Sequence, residues 1–174
     1  MILMKAIKPK RLKDQDMRLE LLNAMRKAGR AIQKDFEKTT RTWEHKPKFE
    51  ALTSLTGPGP VVLVGTDNLI YKFVDEGTKP HPIFAGVYTG KSNKKTLAFQ
   101  WGGPGSYTAK TTPRIIGSQA GGQSGEGVLR AYVQHPGIKA REFDLTIQAL
   151  WRTKFRDDMQ AAMKQAAERS GHAA

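Results

Sequence analysis

The sequence predicts an α+β fold: one antiparallel β-sheet of about four strands, packed by a long N-terminal helix and a C-terminal helix, with long Gly-rich loops. Three observations predict it. Apolar residues recur at helical spacing towards both ends of the chain. They alternate at strand spacing in the middle, and Gly, Ser, Thr and Pro crowd the stretches between the middle strands. A length of 174 residues, 39% of them apolar, suits a single domain over 1–174 with a sizeable part of the chain outside the core.

The first helix is expected from Lys13 to Thr39. Met17, Leu21, Met25, Ala28, Ile32 and Phe36 follow one another at steps of three or four and form one stripe. Asp14 and Asp16 fall in its first turn, where carboxylates suit the positive end of the helix dipole. Gly29 interrupts the stripe at a helix-propensity cost of ~1 kcal/mol against Ala and marks a close backbone approach.

Phe49, Ala51, Thr53 and Leu55 alternate as in a half-buried strand. The Gly57-Pro58-Gly59-Pro60 turn then leads into the β-branched run Val61 to Val64, and the two strands form an antiparallel hairpin. Leu69 to Val74 fits either a helical turn or a strand. Thr96 to Trp101 and Val128 to Val133 are two further strands. Loops are expected at 78–95 and 102–127, the second carrying Gly102-Gly103-Pro104-Gly105 and Gly121-Gly122-Gln123-Ser124-Gly125 and ordering only on assembly. The last helix runs from Arg141 to Arg169. Its stripe of Phe143, Ile147, Trp151, Phe155, Met159 and Met163 is flanked by Leu150, Ala162 and Ala166, and packs against the sheet. Residues 1–12 form a flexible basic arm, 13–168 the core with its loops, and 169–174 a frayed tail.

The net charge of +13 is uneven. Residues 1–50 carry 14 basic and 7 acidic groups, 51–140 carry 9 and 4, and 141–174 carry 6 and 5. Such a balance points to polyanions or acidic proteins as neighbours. The sequence holds no Cys, which excludes disulfide scaffolds, thiol catalysis and Cys-ligated zinc. Val61 to Val64 is far too short to span a bilayer, and Met1 to Lys10 alternates apolar and basic residues without the apolar core of a signal peptide. A soluble protein made in a reducing cytoplasm, with no membrane partner, is the expectation.

No catalytic, cofactor-binding or metal site is expected, and no enzyme activity. His45, His81, His135 and His172 lack metal-ligand spacing, and Asp75-Glu76 and Asp157-Asp158 are sequence neighbours that do not share a face. Gly65-Thr66-Asp67 lacks the Lys of a phosphate loop, and Ser106 and Ser118 stand outside a nucleophile elbow. Two segments do echo each other: VDEGTKPHP from Val74 to Pro82, and VQHPGIKAREF from Val133 to Phe143. Each turns on a Gly suited to positive φ, and His81 and His135 take roughly similar places in them, so the two could meet in space.

Tyr132, Val133, His135, Pro136, Gly137, Lys139 and Phe143 resemble the closing part of a tailed-bacteriophage neck family, the head–tail joining or tail-completion proteins of long-tailed phages. In that family a strand ends in a His-Pro-Gly-Thr-Lys-Pro-like turn before the final helix; here Ile138 replaces the Thr and Ala140 the Pro. Tyr71, Val74, Asp75, Glu76, Gly77, Thr78 and Lys79 look like its mid-chain Tyr…Val-Glu-x-Gly-Thr segment. The resemblance spans roughly residues 15–168 and implies a non-enzymatic virion protein of the neck that forms a ring, hexameric by that likeness. Its implied partners are further copies of itself and neighbouring neck, portal-adaptor or tail-tube proteins, with non-specific contact to DNA passing through the channel. The alternative reading is a basic nucleic-acid-binding protein.

Overall fold

The computed structural model describes residues 13–55, 59–85 and 96–172. The basic arm 1–12, Gly57 and Pro58 of the first turn, residues 86–95 of the second connection and the last two residues lie outside the described residues. The elements run α1 (Asp14–Thr39), β1 (Glu50–Ser54), β2 (Val61–Gly65), α2 (Leu69–Glu76), β3 (His81–Phe84), β4 (Leu97–Trp101), β5 (Tyr107–Thr108), β6 (Gly122–Gln123), β7 (Glu126–Arg130), β8 (Tyr132–His135) and α3 (Phe143–Arg169). The fold is α+β. The ambiguous Leu69 stretch is helical, with Asn68 as its cap: the Asn68 Oδ1 accepts the N–H of Tyr71 at 2.9 Å.

The single four-stranded sheet is replaced by four two-stranded antiparallel ladders, β1–β2, β3–β8, β4–β7 and β5–β6. The expected strands before and after the first turn form β1 and β2, and Thr96 to Trp101 forms β4; they pair in twos, β1 with β2 and β4 with β7. The reason lies in the nesting of the last three ladders. They use the same two lengths of chain, one leaving at His81 and the other returning at His135, so they follow one another along a ribbon. The segment 102–127, expected as loop throughout, contributes β5, β6 and the start of β7 to that ribbon. Val128 to Val133 is two strands, β7 and β8, with a break at Ala131.

The chain divides into two compact units, with α1 and α3 each giving one end to either. The first comprises Met1–Lys34, Glu50–Gly65 and Gln148–Ala174. Gly29 lies against the β1–β2 hairpin: a Cβ placed there would stand 3.4 Å from Ala51 Cβ and 3.4 Å from Val62 Cγ1. Met25, Ala28, Trp151, Met159, Ala162 and Ala166 are buried. The start of α1 meets the end of α3, where Lys13 N donates to Ser170 Oγ at 3.2 Å and Arg169 pairs with the buried Glu20.

Met163 departs from the expected stripe and is 49% exposed, as Leu150 is 57%. Each step of four overshoots a helical turn by about 40°, so by Met163 the stripe has rotated roughly 200° from Phe143. The helix corrects the drift with a step of three from Met159 to Ala162, and continues the buried line through Ala166 to Ser170.

The second unit comprises Asp35–Phe49 and Thr66–Ile147. Its core is aromatic and centred on Tyr71, whose ring lies 5.0 Å from Phe49, 6.1 Å from Phe143, 6.2 Å from Trp43 and 6.4 Å from Phe36. Each such pair adds roughly 0.5–1.5 kcal/mol beyond its area burial.

Candidate functional site

The two echoing segments meet. α2 ends at Gly77, with φ +78°, and the chain crosses over the turn that follows β8. Thr78 N donates to Ile138 O at 2.9 Å, and Ile138 N returns the bond to Thr78 O at 3.0 Å, with the Thr78 hydroxyl as a second acceptor at 3.0 Å. Both glycines are required by this crossing. A Cβ on Gly77 would lie 2.7 Å from Ile138 O and from Ala140 N, while one on Gly137, at φ +87°, would run into Thr78 O.

Beyond the crossing, α2 receives the start of α3. Arg141 N donates to Asp75 O at 2.9 Å and Glu142 N does so at 3.1 Å. The Asp75 side chain then takes the first helical N–H, with Phe143 N donating to Oδ1 at 2.6 Å. These donors are the orphans of a helix N-terminus, here satisfied by another helix. Asp75 is buried. Burial pushes its carboxyl above the usual carboxylate range, and the bond from Phe143 pulls the other way. Tyr71, one turn earlier on the same face, accepts from Thr39 Oγ1 at 3.4 Å through its hydroxyl, and burial raises its pKa.

The motif residues therefore divide by atom. Tyr71 and Phe143 supply buried rings, Val74 and Lys79 supply backbone carbonyls, and Gly77, Thr78, Gly137 and Ile138 supply the crossing itself. The side chains of Glu76, Lys79, Pro136 and Lys139 stay at the surface; Glu76 makes only an exposed pair with Lys72 at 3.9 Å. Asp75 is the residue that carries the buried carboxylate. Its spacing of four from Tyr71 is the signal that places it inward on a helix.

His81 and His135 are opposite partners in the β3–β8 ladder, with ring centroids 5.1 Å apart. A carbonyl only accepts, so the Nδ1 of His81, 2.8 Å from Lys79 O, carries a proton and leaves Nε2 free. An N–H only donates, so the Nδ1 of His135, 3.0 Å from Gly137 N, is bare and its proton sits on Nε2. Burial, and then the charge of His81, lower the pKa of His135. The tautomers are opposite, and each Nδ1 is engaged by backbone, that of His81 as a donor and that of His135 as an acceptor. Among the described residues, no group of three or more His, Cys, Asp or Glu is placed to hold a metal ion.

A third strand of chain ties into the same region, from a segment the sequence reading treats as loop. Ser118 Oγ donates to Lys38 O at 3.2 Å and accepts from Thr42 N at 3.1 Å, while Thr42 Oγ1 donates to Gln119 O at 3.0 Å. Arg114 N donates to Arg141 O at 2.8 Å, and the Arg114 guanidinium meets Glu142 at 2.5 Å, holding that carboxyl below its usual range.

No known protein family, curated protein or solved structure matches this chain.

Proposed function

We propose that the chain is a structural virion protein of a long-tailed phage neck, a subunit of a hexameric ring that joins head to tail or completes the tail. The observation that supports this reading is the crossing of Thr78 and Ile138. The two segments that carry the family resemblance, sixty residues apart, form a single backbone joint between α2, the ribbon and α3. Its chemistry is conformational: positive-φ glycines, a backbone bridge and a capped helix, with the side chains of Glu76, Lys79 and Lys139 left outside. A joint of this type sets the direction of a ribbon and serves assembly rather than turnover.

The exposed apolar side chains fit a subunit that needs neighbours. Leu52 and Leu63 are opposite each other on β1–β2 and are 66% and 63% exposed, and Ile70 and Phe73 of α2 are also exposed. Further copies and adjoining neck, portal-adaptor or tail-tube proteins are the proposed occupants of such surfaces. The net charge of +13 allows sequence-blind contact with DNA in the channel.

Electron microscopy of the purified protein, and of particles assembled without it, tests the reading. Rings, and heads and tails that join only when the protein is added, are the expected result. Complete infectious particles formed in its absence would overturn it. The same charge supports a second reading, a basic nucleic-acid-binding protein. The ring reading expects weak duplex binding, with a Kd of roughly 10⁻⁴–10⁻⁶ M at physiological salt, and nanomolar sequence-selective binding would promote the alternative.

A further inference from the structure

His135 stands where the ribbon leaves the crossing, and its one bare nitrogen is already in use. Gly137 N–H donates to it at 3.0 Å, and Gly137 is the residue whose positive φ lets Ile138 reach Thr78. We propose that His135 is a proton-operated latch: a proton from solvent added to its Nδ1 opens the His135–Gly137 turn and loosens the base of the ribbon.

The neutral ring carries its hydrogen on Nε2, so Nδ1 is the only lone pair left to take a proton. Once it does, an N–H faces the Gly137 N–H, and the bond is replaced by two donors without an acceptor. His81 behaves differently. Its Nδ1–H is held by Lys79 O, so its ring makes that bond as a donor and not as an acceptor. A charge on His81, its ring centroid 5.1 Å away, disfavours a proton on His135. Among the described residues, His81 is the one charged group that acts on the His135 ring. The turns on either side carry the exposed cations Lys79 and Lys139, and Glu76 at the end of α2 pairs with Lys72.

The linkage follows the same direction. A histidine held below its ordinary pKa binds fewer protons folded than unfolded, so its contribution is fully present above the ordinary value and falls as acid is added through the window down to the lowered one. The loss concentrates at the ribbon base because the bond that breaks is local.

Hydrogen exchange of the Gly137 and Ile138 amides, corrected for intrinsic rate, is measured on the full chain between about pH 7.5 and about pH 4.5, with imidazole ¹⁵N shifts followed in parallel. Protection at Gly137 is expected to fall by about tenfold or more, with the midpoint of the His135 Nδ1 titration. His135→Asn keeps an acceptor that does not titrate, since an Asn side chain makes the same turn to the N–H two residues on, and should hold its protection throughout. His81→Gln removes the like charge and should move the His135 midpoint to higher pH. Unchanged Gly137 protection in the wild type, the same acid loss in His135→Asn, or exchange and titration midpoints that disagree would each overturn the latch. If His135→Asn does not fold, the comparison of midpoints in the wild type decides alone. None of these readouts depends on ring formation, so this latch and the neck reading fail separately.

Discussion

The backbone N–H of Phe143 donates to Oδ1 of Asp75 at 2.6 Å, so a carboxylate from α2 caps α3 across 68 residues of sequence. The same residue accepts from Arg141 and Glu142 through its carbonyl, which makes Asp75 the point from which the last helix starts.

Asp75→Ala should destabilise the protein by roughly 1–3 kcal/mol, because it leaves a buried N–H without an acceptor. Asp75→Asn keeps an acceptor and should cost less. Since burial raises the Asp75 pKa, the folded state holds the proton more tightly than the unfolded one. Its contribution to stability is therefore full below the ordinary carboxylate value and declines as pH rises through the raised one. Urea melts across that window should show the decline in wild type and its absence in Asp75→Asn.

Trp151→Ala should cost roughly 3–5 kcal/mol, as Trp151 is 7% exposed in the middle of the buried line of α3. Met163→Ala, at the drifted position, should stay within about 0.5 kcal/mol of wild type. Equal thermal shifts for the two would show that the buried line is misplaced.

Gly29→Ala should be neutral or stabilising by up to ~1 kcal/mol, since a methyl at 3.4 Å from its nearest neighbours makes ordinary contact and the helix gains propensity. Gly29→Leu should destabilise, because the larger side chain must displace the hairpin. A marked loss of melting temperature in Gly29→Ala would mean the helix and hairpin approach more closely than 3.4 Å implies.

Gly77→Ala and Gly137→Ala should each cost roughly 1–3 kcal/mol or more, through positive φ and through backbone atoms that cannot move aside. Gly103→Ala, also at positive φ but with open space around it, should cost less than either. Differential scanning of the three variants separates strain from steric contact, and an equal cost for all three would assign the whole effect to φ.

The sequence made the periodic features readable. Both long helices, the β1–β2 hairpin and the buried Trp151 follow from spacing alone, and the echo between the two turns anticipates the meeting of His81 with His135. Pairing was not readable, because strand alternation states which face is buried and not which strand lies beside it; β4 and β7 therefore read as members of one sheet rather than rungs of a ribbon. The Gly-rich stretch was opaque for a related reason. Thr108 pairs with Gly122 through backbone atoms that nearly every residue owns, and Ser118 bridges Lys38 and Thr42 through one hydroxyl in a stretch that holds several. Between Asp75 and Glu76 the family likeness favours the second, and only the i, i+4 relation to Tyr71 favours the first.

The nested ladders have a consequence for the order in which the chain can assemble itself. The bond from Gln119 N to Lys110 O closes a short loop, Thr108 then finds Gly122, Trp101 finds Glu126, and Thr78 reaches Ile138 only across sixty residues. Closing that outermost contact first would confine the whole intervening chain at once, whereas zipping inwards from the tip confines a little at each step. The crossing that orients the ribbon is therefore the last contact to gain from its neighbours. A refolding experiment should find the amides of β5 and β6 protected before those of Thr78 and Ile138.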